Sequence, residues 1–348
     1  QQAYERSNTK MICKNCDEEI AEGDFYPSDH RYCMKCGTER AEYLKDRRAT
    51  LSSLRDMNLP SKIIQTKFLI KQAVFEFGLE KVYISYSGGK DSTVLSHIAK
   101  SMYPDILHLF SNTTNEYPET LQHIKWEQEE NDTNLIMVLP EDVHGEIWTF
   151  KKVVERYGYP VFSKRVSNAI RTYQHALSDE TQQHSIDYIA RNFKKYDKYK
   201  ELPISDKCCD RLKKEPLRRK AKELGLKCAI LGILPSESYQ REKDWLEYGC
   251  NVFHERKDNQ SRPLSFWTDE DILEYIEQYN VRIPTLYDMG YTRNGCMYCG
   301  FGAHLENPEC NRYQMLKKTH PMQYEYLVKN FGNLIQSFDI EIGINDAE

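Results

Sequence analysis

Two sets of residues in this sequence are of the types and spacings that do chemistry. The first is Ser87-Gly88-Gly89-Lys90-Asp91-Ser92, which follows the apolar, β-prone run Val82–Tyr86 and opens a segment, Ser92 to Lys100, that reads as helix. Strand, glycine turn and helix N-terminus together present free backbone N–H groups to an anion. Two glycines let the backbone approach a phosphate with no Cβ in the way. Ser87 and Ser92 add hydroxyl donors, Lys90 adds a point charge, and Asp91 can cap the helix or hold Mg²⁺. The spacing is not Gly-x4-Gly-Lys-Ser/Thr, which sets the loop apart from those of P-loop kinases and GTPases. The second set is cysteine. Cys13, Cys16, Cys33 and Cys36 form two Cys-x2-Cys pairs sixteen residues apart. That spacing suits a structural zinc site of four cysteines, with an iron–sulfur site as the alternative. Four thiolates on two tight turns close a tetrahedral shell, so that a unit of about 35 residues folds with little core. Adjacent Cys208 and Cys209 stand 86 residues before Cys296-Met-Tyr-Cys299. Four soft thiolates suit iron–sulfur or zinc, and Cys310 or Cys250 could replace one of them.

The elements that must position these groups read as α/β. Lys62 to Phe77 carries a helical stripe of Ile63, Ile64, Phe68, Leu69, Ala73, Val74 and Phe77, expected to pack on the sheet. Ile106–Phe110 and Leu135–Leu139 read as further strands, with Pro118 near a helix start between them. Strands alternating with helices predict a doubly wound parallel sheet with the site at its carboxyl ends, which places Asn112 to Thr120 beside the glycine loop. Trp148 to Tyr199 reads as mostly helical, and residues 191–227 hold 14 Lys/Arg against 6 Asp/Glu. That run is either a solvated face or a surface for an anionic partner. Thr268 reads as the N-cap of a helix to Tyr279 with acidic residues in its first turn. The tail is acidic, with Asp339, Glu341, Asp346 and Glu348. At 348 residues the chain holds one large α/β domain plus small appendages. A net charge of −5 excludes a globally basic protein but not a local basic patch. No apolar run approaches the roughly 20 residues of a membrane span, and no signal peptide is evident. The expectation is a cytoplasmic protein with no membrane contact, whose 11 cysteines serve metal or redox chemistry rather than disulfides.

The string Ser87–Ser92 resembles the PP-loop of ATP pyrophosphatases and of the phosphoadenosine phosphosulfate (PAPS) reductase family. Cys208-Cys209 with Cys296 and Cys299 resembles the [4Fe–4S] motif of adenylyl-sulfate reductases. The flanks are similar as well: Pro216-Leu217-Arg218, Leu231 to Arg241, Arg262 to Ile272 and Pro284 to Tyr291. The likeness covers roughly residues 60 to 305. It implies a PP-loop (adenine nucleotide alpha-hydrolase-like) fold, divided as a zinc-ribbon-like four-cysteine module (1–40), a helical connector (41–60), a nucleotide-binding domain (61–290) and a C-terminal segment completing the iron–sulfur site (291–348). It implies ATP with Mg²⁺ at Ser87, Gly88, Gly89, Lys90, Asp91, Ser92, Glu237 and Arg241, with Lys90 and Asp91 catalytic. It further implies a [4Fe–4S] cluster on Cys208, Cys209, Cys296 and Cys299, with a second zinc as the runner-up beside the Zn²⁺ of the first cysteine set.

The sequence also departs from that pattern. Sulfonucleotide reductases carry a C-terminal Glu-Cys-Gly-Leu/Ile-His tail that this chain lacks; its last cysteine is Cys310, in Glu-Cys-Asn-Arg. Asn112 and Thr114 stand where the reductases have Asp and Gly. The PP-loop, degenerate in those enzymes, is complete here. The expectation is therefore an AMP- and pyrophosphate-forming sulfurtransferase that adenylylates an oxygen of a nucleic acid, DNA or tRNA, and replaces it with sulfur. It resembles in this the sulfur-incorporating enzyme of DNA phosphorothioation, the tRNA thiouridine synthetases and reductase-like proteins of phages and bacteria. A cysteine desulfurase is the kind of sulfur donor implied. One alternative is a sulfonucleotide reductase releasing sulfite, with Cys310 or an outside thiol reductant as nucleophile. Another is a metal-stapled nucleic-acid-binding scaffold.

Overall fold

The computed structural model describes residues 11–21, 23–142, 144–237, 239–254 and 258–343. The acidic tail residues Asp346 and Glu348 lie outside them. Eight strands are present among the described residues: β1 Val82–Tyr86, β2 Leu107–Ser111, β3 Leu135–Val138, β4 Val161–Phe162, β5 Cys228–Leu231, β6 Asn251–Val252, β7 Asn259–Ser261 and β8 Gly300–Phe301. Six form one sheet in the order β3-β2-β1-β5-β7-β6, parallel except for the edge pair β6–β7. From β1 the chain winds outward on one side to β2 and β3, then returns to β5 on the other. The carboxyl end of β1 is therefore the switch point of the sheet, where the diverging connections leave a crevice.

Helices α1 (Met34–Arg55), α2 (Leu59–Phe77), α3 (Lys90–Lys100) and α4 (Pro118–Glu129) precede β3. α2 and α3 share a core with β1, containing Ile63, Ile70, Ala73, Ile84, Val94 and Ile98. The expected stripe on α2 needs correction: Ile64 and Phe68 are 70% and 52% exposed. Leu59, Ile63, Thr66, Ile70 and Ala73 are buried. They follow the 3.6-residue period along one face, whereas Ile64 and Phe68 lie roughly 100° and 140° around the helix from Ile63, on the side turned away from that face. Lys62, 2% exposed, reaches Asp271 at 2.6 Å and ties α2 to the helix Asp269–Gln278. The opposite sheet face is covered by the helix Glu215–Glu223, through Leu217 and Ala221 against Tyr83 and Leu109.

A second core, rich in aromatic residues, joins Phe150, Tyr159 and Phe162 to Tyr313, Phe331 and Phe338. Leu286 and Tyr291 also belong to it. At its centre the Tyr159 hydroxyl donates to the carbonyl of Tyr298 at 2.5 Å. The short pair β4–β8 runs alongside. Cys13, Ile20, Tyr32 and Cys36 form a small third core, packed by Phe25 and Tyr26. Among the described residues no helix is long and apolar enough to cross a membrane.

Candidate nucleotide and cysteine site

The loop after β1 stands at the switch point and runs into α3, whose N-cap is Gly89. Gly88 has φ +71°, and a Cβ there would lie 3.1 Å from Ile124 and Thr120 of α4, so this position requires glycine. The Ser87 and Ser92 hydroxyls lie 2.9 Å apart, and the Gly89 N–H donates to Ser87 Oγ. The Lys90 N–H donates to the Tyr287 hydroxyl at 2.9 Å. Lys90 Nζ stands 2.8 Å from Asp91 and 2.7 Å from Asp269. Burial works against that ammonium, but the two carboxylates outweigh it and hold its pKa above the ordinary value. Arg241, in the helix Tyr239–Tyr248, is half-buried. Desolvation and the neighbouring Arg293 lower its pKa while Asp91 opposes them. Asp91 thus lies in the field of both Lys90 and Arg241. The backbone of Glu237 belongs to the turn Pro235–Glu237; its side chain lies outside the described structure.

Behind the loop, Tyr86 Oη lies 3.0 Å from Thr93 Oγ1 and from His123 Nε2, and 3.1 Å from Glu127. Glu127 also accepts from Thr133 at 2.6 Å and Asn131 at 2.8 Å. This buried network braces α3 against α4. Asn294 connects the loop to the second cysteine pair, Cys296 and Cys299. Thr120 Oγ1 donates to its Oδ1 at 2.8 Å, and its Nδ2 donates to the Ser87 carbonyl at 3.5 Å.

Cys13, Cys16, Cys33 and Cys36 bring their four sulfurs within 4.8 Å of one another. A tetrahedral zinc with bonds of about 2.3 Å needs sulfurs about 3.8 Å apart, so the set fits a single ion. The Cys33 N–H donates to Cys13 Sγ at 3.4 Å and brings that thiol down to about 6. That favours a thiolate at Cys13, while Cys16 and Cys36 are shifted upward.

The other cysteine set is assembled from distant segments. Cys208 and Cys209 begin one continuous helical stretch, Lys207–Glu223, in which Asp210–Lys214 is a π-turn. Pro216 has no N–H to bond the carbonyl four residues back. That carbonyl, Leu212 O, instead accepts from Ser111 Oγ at 2.8 Å, at the carboxyl end of β2. Wide turns of this type cluster at functional sites. Cys296 and Cys299 are held by Asn115: its carbonyl accepts the Met297 N–H at 2.9 Å and its Oδ1 the Tyr298 N–H at 3.2 Å. Next comes Gly300, where a Cβ would lie 2.7 Å from Pro160 O and the Tyr159 ring; only glycine lets β8 sit there. Arg312, paired to Glu306 at 2.9 Å, donates to Cys299 O at 2.9 Å.

Cys208 and Cys209 have their sulfurs 4.0 Å apart. The Cys208 thiol and the lysines Lys164, Lys213 and Lys214 bring Cys209 down to about 6, against the opposing effect of burial. Burial pushes Cys299 up to about 12 and raises Cys296, and both feel Cys209. Lys213 is held above its ordinary pKa by Cys296, Glu116 and Cys209. Among the described residues, the 4.8 Å grouping that a single ion needs is found for the first cysteine set and not for this one. A polynuclear cluster spreads its ligands over several irons and tolerates wider sulfur spacing, and four soft thiols suit one.

Two adjoining cavities join the two chemistries. One of about 460 Å³ runs from Arg293 and Asn294 through Cys296 and Cys299 to Cys310 and Arg312. The other, of about 200 Å³, runs from Ser87 of the loop to Lys213 of the π-turn. Asn294 and Gly295 line both. Tyr287, Asn294, Asn115 and Arg312 were not singled out by motif. Tyr287, Asn115 and Arg312 do stand inside stretches that the sequence marked, Pro284–Tyr291, Asn112–Thr120 and Cys310–Tyr313.

The sequence model described as phosphoadenosine phosphosulfate reductase domain matches residues 81–158 and 156–301. An uncharacterized protein of Methanocaldococcus jannaschii is 22% identical over 251 residues, 71% of this chain and 47% of that protein. The adenosine 5'-phosphosulfate reductase of Burkholderia cepacia is 24% identical over 164 residues, 45% of this chain and 55% of that one. The chain thus spans about half the length of these curated relatives. Among solved structures, the PAPS reductase of Candida auris in its phosphate complex aligns with 72% of this chain and 93% of its own, at 15% identity and a TM-score of 0.43.

Proposed function

The chain belongs to the phosphoadenosine phosphosulfate reductase domain family, and from that premise we propose that it is an ATP-dependent sulfurtransferase acting on a nucleic acid. The observation that carries the reading is the continuity of the site: Ser87 of the PP-loop lines one cavity, Cys296 and Cys299 line the other, and Asn294 and Gly295 line both. Loop amides, the Ser87 and Ser92 hydroxyls and Lys90 hold the β- and γ-phosphates of ATP. Asp91 would hold Mg²⁺, which would supply positive charge beside the pyrophosphate. Arg241 and Arg293 stabilise the charge that develops as a substrate oxygen attacks the α-phosphate in line. The oxygen, now esterified to AMP, leaves when sulfur attacks the same carbon or phosphorus. Cys208, Cys209, Cys296 and Cys299 would hold a [4Fe–4S] cluster, which supplies thiophilic and electrostatic chemistry beside that centre. Lys213 and Lys164 offset its negative charge. The sulfur comes as a persulfide from a donor of the desulfurase type, and a thiol reductant supplies the two electrons that bring it to the sulfide level of the product, leaving as a disulfide.

The test is pyrophosphate release from Mg·ATP by anaerobically purified protein, with and without DNA or tRNA. Stimulation by one nucleic acid, lost in Lys90→Ala, is the expected result. Sulfite formed from adenylyl sulfate and a thiol, without pyrophosphate, would overturn it. That outcome belongs to the second reading, a sulfonucleotide reductase. Two observations favour that reading: the relatives from Burkholderia cepacia and Mycobacterium bovis are adenosine 5'-phosphosulfate reductases, and Cys310 lines the larger cavity beside Cys296 and Cys299.

A further inference from the structure

The N-terminal four-cysteine module lies outside the matched family region, yet its helix is fastened to an element of the nucleotide site. Cys33 is the N-cap of α1 and Cys36 is in its first turn, so two of the four sulfurs belong to the start of that helix. Farther along α1, Arg40, Arg47 and Arg55 recur every seven or eight residues and so share one face. All three reach the helix Tyr239–Tyr248. Arg40 pairs with Glu247. Arg55 stands 3.2 Å from Glu242. Arg47 donates to the carbonyls of Trp245 at 3.0 Å and Leu246 at 3.3 Å, and its guanidinium lies 4.4 Å over the Trp245 ring. These carbonyls stand in the last turn of their helix, where a cation also complements the helix dipole.

Trp245 and Leu246 are the buried residues of that helix, both in its last turns. Arg241 projects from its first turn, about 6 Å ahead of Trp245 along the axis, into the field of Arg293 and Asp91. A small rotation about the Trp245 anchor would carry the Arg241 guanidinium away from the PP-loop. The three arginines of α1 brace the helix against that rotation from Glu242 to Glu247.

We infer that α1 is a strut through which the four-cysteine module sets the position of Arg241, with Arg47 as its principal positioning residue, so that metal in the module governs affinity for the nucleotide. The inference rests on the reading above that Arg241 contacts ATP. Binding of Mg·ATP is measured by calorimetry for the full-length wild type, Arg47→Met, Arg47→Lys, Arg241→Met and the Arg47→Met/Arg241→Met double variant. Arg47→Met weakens binding about fivefold to tenfold. Arg47→Lys, which keeps the cation, recovers part of the loss. In the Arg241→Met background Arg47→Met costs nothing further, because its effect passes through Arg241. Hydrogen exchange across residues 239–248 rises in Arg47→Met while α2 and α3 stay protected, which shows that the domain remains folded. Chelation of the module's zinc from the wild type produces the same two changes without any substitution, and serves if Arg47→Met does not fold. Additive losses in the double variant overturn this inference alone, as does unchanged ATP affinity after chelation. A wild type that binds no Mg·ATP overturns both the inference and the reading on which it rests.

Discussion

The two cysteine sets of this protein are built in opposite ways. Cys13 to Cys36 lie within 24 residues of one another and carry their own small core of Ile20 and Tyr32. Two tight turns suffice to bring the sulfurs together, and one ion would close the structure. Cys208, Cys209, Cys296 and Cys299 have no such local logic. One pair sits at the head of a helix bent by a π-turn, the other on a knuckle held by Asn115 from the loop after β2. Their meeting depends on the aromatic core, on Gly300 and on the freed Leu212 carbonyl. A local site stands by its own sequence, whereas a long-range site depends on every fastener between its parts.

That contrast can be broken or sharpened by substitution. The largest effect is expected at the long-range cysteines. Cys209→Ser should lose iron and lower coupled pyrophosphate release more than about 1000-fold, over about 4 kcal/mol in the barrier. Cys13→Ser should lose zinc yet leave the central thermal transition in place. Metal analysis with calorimetric melting separates the two, and collapse of the whole chain in Cys13→Ser would refute the autonomy of the module. Next is the fastener between α2 and Asp269–Gln278. Lys62→Met strands the Asp271 carboxylate and should cost about 3 kcal/mol in denaturant titration; a loss below about 1 kcal/mol would mean that the sheet region tolerates the missing pair.

Acid provides a third measure. Burial brings His108 and His123 down to about 4, below their unfolded value, so between about pH 6.5 and 4 the unfolded chain binds protons that the folded chain does not. Stability should therefore fall as the pH drops through that window, by up to about 1.4 kcal/mol per pH unit for each histidine, and level off below it. A flat profile across that window would remove these groups from the account. The smallest effect is expected of Ser111→Ala, which leaves Leu212 O without its donor and should cost about 1 kcal/mol, read as a lower midpoint together with faster loss of iron.

Much of this is legible before any coordinates. β1 and the glycine loop can be read because a buried strand and a Gly-Gly break are short-range patterns, and the Cys-x2-Cys pairs declare themselves by spacing. Thr268 reads as a cap, and it forms a capping box with Asp271. The same Asp271 takes up Lys62, and no local pattern marks that pairing across 209 residues. Ile64 and Phe68 mislead because an apolar side chain on a helix does not say which face is covered. Tyr287, Asn294 and Asn115 are ordinary residues by type; their positions matter because the fold carries them to the loop and to the knuckle.

The sequence by itself determined the alternating strands and helices, the anion-binding turn and the identities of eight cysteines in two sets. These follow from backbone sterics, glycine's freedom and thiolate chemistry, which act over a few residues. Only the tertiary structure decided that Ser87 of the loop and the Cys296–Cys299 knuckle line adjoining cavities, that Asn115 and Arg312 grip the knuckle, and that the arginines of α1 reach the helix bearing Arg241. Those contacts join segments from 13 to 207 residues apart. Their closure is set by burial of the two large cores, a property of the whole chain rather than of any stretch of it.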